Sequence, residues 1–249
     1  MKIYFVFPSK KDTELFIESG VKNLLLSYYY DMDGTKLSTL KAEHPDISIM
    51  LDSGAFSAHS LGDDITVEEY ADFLKDNMKY VDHAISLDVL GDAEQSKKNY
   101  DELTKLGHKV IPVYHLMEDF KYLDYYCKTC DYICIGGAVG FKLTIRDLYN
   151  AVNRIMKRVP GHVRVHILGT TNFTLLYKYP TKLTSCDSSV ISKAARFNET
   201  LTLDGIPTRT EGVQGRRASQ KEIDALQRHM ISRMLKVEKD INEVANRKS

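Results

Sequence analysis

The stretch Ile47-Ser-Ile-Met-Leu-Asp-Ser-Gly-Ala-Phe56 sets the pattern for the whole chain. Its opening run carries no charge, is rich in branched aliphatic side chains, and stops at an acid and a glycine. A run this short and apolar reads as a strand buried on both faces, as in a parallel sheet. Working outward, the same unit recurs. Ile3–Phe7 and Asn23–Ser27 precede it; His83–Leu87, Lys109–Val113, Tyr132–Ile135, Val163–Leu168 and Lys182–Ser185 follow it. Amphipathic segments lie between them. Thr66-Val-Glu-Glu69 has the spacing of a capping box, and Tyr70, Phe73 and Leu74 follow at helical spacing. Ala93–Leu106 stops at Gly107, and Thr144–Val159 stops at Pro160-Gly161. Alternating strands and helices predict an α/β protein, a closed (β/α)8 barrel. An open doubly wound sheet is the rival, and the G-x-G-x-x-G turn of its dinucleotide-binding form is absent.

The expected organisation is one barrel domain over residues 1–249. Residues 194–217 read as a long polar loop carrying Arg196, Arg209, Arg216 and Arg217. Residues 219–247 read as one amphipathic helix with Ile223, Leu226, Met230, Met234 and Val237 along a face.

Composition narrows the function classes. Thirty-four basic and 34 acidic side chains cancel, which excludes the global positive field of a coating-type nucleic-acid binder. Four cysteines in 249 residues do not make a disulfide scaffold. No run is long enough for a signal-peptide core or a membrane span, so the expectation is a cytoplasmic protein with no membrane association.

In a barrel of this kind chemistry gathers where strands end. Asp52 follows the third run, Asp88 the fourth, Tyr114-His115 the fifth, Gly136-Gly137 the sixth and Asp187 the eighth; His166 lies late in the seventh. Any single strand-end Asp serves as well to cap the next helix, but together these residues converge on one pocket if the barrel closes. Two carboxylates in unlike environments can divide labour as nucleophile and general acid. Substitution at an anomeric carbon with retention uses such a pair, roughly 5 Å apart. Gly136-Gly137 lets backbone N–H groups approach a ligand oxygen, or makes a tight turn. Asp88 can accept hydrogen bonds from an amidine-like edge, as carboxylates do from nucleobase donors.

These motifs are similar to those of a known family. Asp52-Ser-Gly-Ala-Phe56 resembles the Asp-Ser-Gly-Gly-Phe signature of the guanine transglycosylases that place queuine-type bases in tRNA. Ser86-Leu-Asp88, Ile135-Gly-Gly-Ala-Val-Gly140, His166-Ile-Leu-Gly169 and Cys186-Asp187-Ser-Ser189 resemble four further family segments, in family order. The resemblance implies a (β/α)8 barrel that exchanges guanine for a 7-deazaguanine without a cofactor. Asp187 would form a covalent glycosyl-enzyme, and Asp52 would be the general acid and base. Asp88, His115, Gly136, Gly137, His166, Ser53 and Phe56 would bind the base.

The departures are informative. No cysteine follows Asp187, so the zinc subdomain of the tRNA enzymes is absent and no metal is expected. Tyr114-His115 stands where the family has Gln, and Ala55 replaces a glycine. The short chain resembles compact phage-encoded relatives that modify DNA, which favours DNA over tRNA as the partner and host cytoplasm as the location. A homodimer is left open.

Other features have plain readings. Cys127, Cys130 and Cys134 read as core and helix-end thiols rather than a metal site. A metal hydrolase would need an H-x-H pair that Ile3–Phe7 lacks. Tyr28-Tyr-Tyr30 can stack on bases or simply form a rim, and the arginines of 194–217 can grip phosphate or lie in solvent. A base deep in a barrel mouth must leave its stack, so unpaired or deformable substrate is expected. An N-glycoside hydrolase and a non-catalytic nucleic-acid-binding barrel remain the alternatives.

Overall fold

The computed structural model describes residues 1–6, 10–137, 144–170, 172–191, 194, 197, 199–202, 205, 207–209 and 219–247. Strands and helices alternate as β1 (Lys2–Val6), α1 (Lys10–Glu18), β2 (Asn23–Ser27), α2 (Thr35–Glu43), β3 (Ser48–Asp52), α3 (Ala55–Leu61), α4 (Val67–Asn77), β4 (His83–Ile85) and α5 (Ala93–Lys105). They continue as β5 (Val110–Ile111), β6 (Val113–His115), α6 (Phe120–Thr129), β7 (Tyr132–Gly136), α7 (Ile145–Arg158), β8 (Arg164–Ile167), α8 (Phe173–Lys178) and β9 (Leu183–Ser188). A hairpin of β10 (Glu199–Leu201) and β11 (Pro207–Arg209) precedes the long helix α9 (Gln220–Asn246).

The first nine strands form one parallel sheet in the order β5-β4-β3-β2-β1-β9-β8-β7-β6. Its two ends, β5 and β6, are halves of one segment split by Pro112. Proline has no N–H to give to a ladder, so the strand breaks there. One half pairs with β4 and the other with β7. The sheet therefore curls into a nearly closed TIM-like barrel, as the eight apolar runs predict.

Side-chain alternation divides the core into two shells. Tyr4, Leu25, Met50, Ile85, Ile111, Val113, Tyr132 and Cys134 fill the barrel interior. Their chain neighbours, among them Ile3, Phe5, Ile49, Leu51, Ile133 and Ile135, face outward into a larger core beneath the helices. This is why the strands read as continuous apolar runs: both faces are dry.

Helix starts follow the sequence signals. Thr66 and Glu69 form the capping box of α4, Asp92 caps α5, Thr144 caps α7, and Ser219 with Glu222 boxes α9. Helix α9 packs against α1, β1 and α8, in the place of an eighth barrel helix. It buries Met230, Ile231, Met234 and Ile241, each worth roughly 1.5–3 kcal/mol. Glu238 accepts the Ile3 amide at 3.1 Å, and Asn242 bonds the Met1 amine. One expectation is corrected: residues 194–217 are not wholly loop, because β10 and β11 pair antiparallel within them. No described helix is long and apolar enough to cross a membrane.

Candidate active site at the barrel mouth

The period of two that sorts the core also builds the site. Met50 points inward, so Asp52 two residues on does too; the same step leads from Val113 to His115 and from Cys134 to Gly136. Because all nine strands are parallel, these positions share one end of the barrel. Asp187 lies within β9, beside Tyr4 of β1, and Asp52 ends β3 beside Ser27. The sequence pattern places His115 and Asp187 just beyond their strands; both are in fact ladder residues, because β6 and β9 run further than the apolar runs do.

Asp187 is buried and tightly held. Its Oδ1 accepts the Gly169 amide at 2.9 Å and lies 3.1 Å from His166 Nε2. The chain of contacts continues inward. His166 Nδ1 is 2.6 Å from Ser185 Oγ, which is 2.6 Å from the Tyr132 hydroxyl. If Tyr132 donates to Ser185 and Ser185 to Nδ1, the imidazole is fixed as its Nε2–H tautomer and donates to Asp187. Two N–H groups meeting one oxygen in this way fix the plane of the carboxyl group. No hydrogen bond among the described residues reaches Oδ2.

Asp52 is in the opposite condition. Part of its surface faces the mouth, but protein surrounds it. Burial pushes its pKa up to about 7, helped by the charges of Asp88 and Asp187 and only partly offset by the Gly54 and Ser53 amides. All three carboxylates are therefore close enough to interact. Asp52 is thus placed to hold or release a proton near neutrality, and its Oδ2 accepts the Gly54 amide at 3.1 Å.

Gly54 must be glycine. Its φ is +77°, and a Cβ there would stand 2.3 Å from Ser27 Oγ and 2.6 Å from Tyr29 Cβ. Gly54→Ala is expected to cost about 2–4 kcal/mol, read as a lowered urea midpoint, because strain and overlap add. An unchanged midpoint would show that the turn after β3 is not under this constraint.

Asp88 sits on the segment after β4. That segment is pinned by Ser86 N–H to Ile111 O at 2.9 Å and by Asn99 Nδ2 to Leu87 O at 3.0 Å. Asp88 Oδ2 is 2.8 Å from His115 Nε2, and His115 Nδ1 is 2.8 Å from Glu118 Oε1. Burial lowers the affinity of His115 for a proton, but the two carboxylates outweigh it and bring its pKa to about 9. His115 is thus an imidazolium at neutral pH.

The remaining expected base-binding residues divide. Gly136 ends β7 against His115, and Gly137 has a φ of +88°. Phe56 is exposed on α3. Ser53 and His166 are fully buried, and His166 has both ring nitrogens occupied, so these two support neighbouring groups instead of lining open space. Arg209 falls in β11, where only its backbone is described; Arg196, Arg216 and Arg217 lie outside the described residues, as do 138–143.

Sequence reasoning missed Glu118, Ser185 and Tyr132. Ser185 was legible in principle, since it lies two residues before Asp187 on the same strand face. Glu118 was not, because the turn that returns it to His115 leaves no pattern. Around the mouth Tyr30, Met32, Phe56, Leu90 and Met117, all on segments that follow strands, are exposed. Comparison of the chain with models of known protein families finds no match, and comparison with curated proteins finds none.

Proposed function

We propose that this barrel exchanges a guanine-type base in nucleic acid for a 7-deazaguanine, with DNA the favoured polymer. The observation that carries the reading is the unequal treatment of two carboxylates at one mouth. Asp187 Oδ1 is held by the Gly169 amide and His166 Nε2 with Oδ2 left toward the mouth, while burial and neighbouring carboxylates bring the pKa of Asp52 up to about 7. This is the division of labour that displacement at an anomeric carbon requires.

In the first half-reaction Asp187 Oδ2 bonds to C1′ of the nucleotide. The C1′–N9 bond breaks, its electron pair goes to the departing purine, and Asp52 delivers a proton to that base. In the second, the incoming base gives a proton to the Asp52 carboxylate and attacks C1′, and the bond to Asp187 breaks. Both residues return to their starting states. A covalent intermediate allows one pocket to serve two bases in turn.

The exposed mouth residues support a polymer substrate. Aromatic faces at a rim suit unpaired bases, each stack contributing about 1–3 kcal/mol. Tyr30→Ala and Phe56→Ala are each expected to raise KM for single-stranded polymer about 5- to 100-fold and leave KM for free base unchanged. Equal effects on both would place these side chains in the pocket itself.

The decisive experiment incubates the protein with labelled guanine or deazaguanine and either DNA or tRNA, then analyses the nucleosides. Label in DNA supports the reading. Label in tRNA alone changes the polymer. Free base without incorporation indicates hydrolysis. Binding without turnover leaves a nucleic-acid-binding barrel and overturns the proposal.

A further inference from the structure

Two groups at the mouth take no part in that proton and bond bookkeeping. Glu118 and His115 nonetheless are built into it with unusual care. The His115 side chain is 2% exposed and that of Glu118 8%, while Asp88 at the outer end is 17% exposed. Each ring nitrogen of His115 faces a carboxyl oxygen at 2.8 Å, an arrangement that a doubly protonated, cationic ring satisfies by donating at both ends. The Glu118 end is fastened independently. Its Oε2 accepts the His115 amide at 3.0 Å, its carbonyl accepts the Tyr114 hydroxyl at 2.7 Å, and its amide donates to His115 O at 3.3 Å. Between them Met117 takes a φ of +77°, a left-handed conformation that costs a side-chain-bearing residue about 1–3 kcal/mol. The tight turn brings Glu118 back onto the ring.

Gly136 completes the seat. A Cβ on it would lie 2.9 Å from His115 Cδ2 and 2.9 Å from Val113 Cγ1, so the imidazolium rests against bare backbone of β7. Beside the two readings of Gly136-Gly137 from the sequence, ligand approach or a tight turn, Gly136 thus has a steric role toward the protein. At the outer end, Asp88 gives Oδ2 to the ring, and no hydrogen bond among the described residues occupies Oδ1.

We propose that Glu118 and His115 form a positioning relay that holds Asp88 as a fixed anionic acceptor, so that the pocket selects purines presenting two adjacent N–H donors over purines lacking the 2-amino group. The proposal rests on the base-exchange reading and names what sets its substrate choice. A swinging carboxylate can accept from many donors. One locked through Oδ2 presents Oδ1 in a single direction, and an edge that lacks a donor there leaves Oδ1 desolvated and without a partner. That asymmetry is the source of strong discrimination in hydrogen-bonding pockets. His115 and Glu118 act through Asp88 and need not touch the base.

The test uses the full chain and its Glu118→Gln and His115→Gln variants. Calorimetry measures binding of free guanine and hypoxanthine, nitrogen NMR reads the protonation of the His115 ring, and exchange assays give KM and kcat. In the wild type the ring is doubly protonated at pH 7.5, and guanine binds well ahead of hypoxanthine. Glu118→Gln is expected to lower that preference about tenfold or more and to raise KM for guanine comparably, with kcat within about twofold. A triad that merely stabilises the barrel end would lower the melting temperature and leave the preference unchanged. Folded variants with undiminished preference, or a neutral ring in the wild type, overturn the relay while base exchange stands. A wild-type protein that neither binds guanine nor exchanges it overturns the base-exchange reading and the selectivity with it. Should His115→Gln fail to fold, Glu118→Gln alone decides the matter.

Discussion

If Asp187 is the nucleophile, as proposed, Asp187→Asn is expected to abolish the covalent adduct with nucleic acid and to lower base exchange by roughly 10⁴-fold or more, the loss typical when a nucleophile is removed from an otherwise intact site. An amide has no anionic oxygen to bond C1′. Its carbonyl can still accept the Gly169 amide and the His166 Nε2–H that now meet Oδ1 at 2.9 and 3.1 Å, so the fold is expected to survive. Denaturing electrophoresis and mass spectrometry of the quenched reaction read the adduct directly. A wild-type adduct that persists in Asp187→Asn assigns the bond to another residue and removes the centre of the proposed mechanism.

The second large effect belongs to Asp52, and it has two signs. Asp52→Asn removes the proton donor, so adduct formation is expected to fall about 10²- to 10⁴-fold. In the wild type that step should slow as pH rises through about 7, where Asp52 loses its proton. The variant's residual rate should show no such dependence. Stability moves the other way. The folded pKa is raised above the ordinary carboxylate value, so the fold favours the protonated form. Its burden is absent below about pH 4 and grows as pH rises through about 7. Asp52→Asn, which keeps an acceptor for the Gly54 amide, is therefore expected to stabilise the protein by about 2 kcal/mol at pH 8 and by nothing near pH 4. Urea unfolding at the two pH values checks this. Equal midpoints at pH 8 would mean that solvent at the mouth screens the charge.

The fold was legible because a parallel barrel needs strands buried on both faces, and Ile47–Leu51 and its seven counterparts are written that way. Helix starts were legible at Thr66, Thr144 and Ser219 because capping depends on side chains three residues apart. Strand ends were less so. A strand that turns polar at its last residues, as β9 does at Ser185 and Asp187, loses its apolar signature where it enters the site. The same holds for His115 in β6. The broken fifth strand was hidden too: Pro112 sits inside an apolar run, and only the sheet order reveals two half-strands paired to different neighbours. Of the site, the carboxylates could be found by position, whereas separate roles for them came only from the family resemblance. Asp52 is set by burial and by the neighbouring Asp88 and Asp187, and Asp187 is fixed in place by Gly169 and His166, contacts that come from other segments of the chain and leave no local pattern.

The seating of α9 has a kinetic consequence. Strand β1 is flanked by a helix that lies far along the chain, and the Ile3 amide finds its acceptor on Glu238, 235 residues later. During vectorial synthesis, at about 5–20 residues per second, β1 and α1 leave the ribosome long before Met230, Ile231 and Met234 can cover them. The nascent barrel therefore waits with an uncovered seam, and that interval is when a chaperone has the most apolar surface to hold.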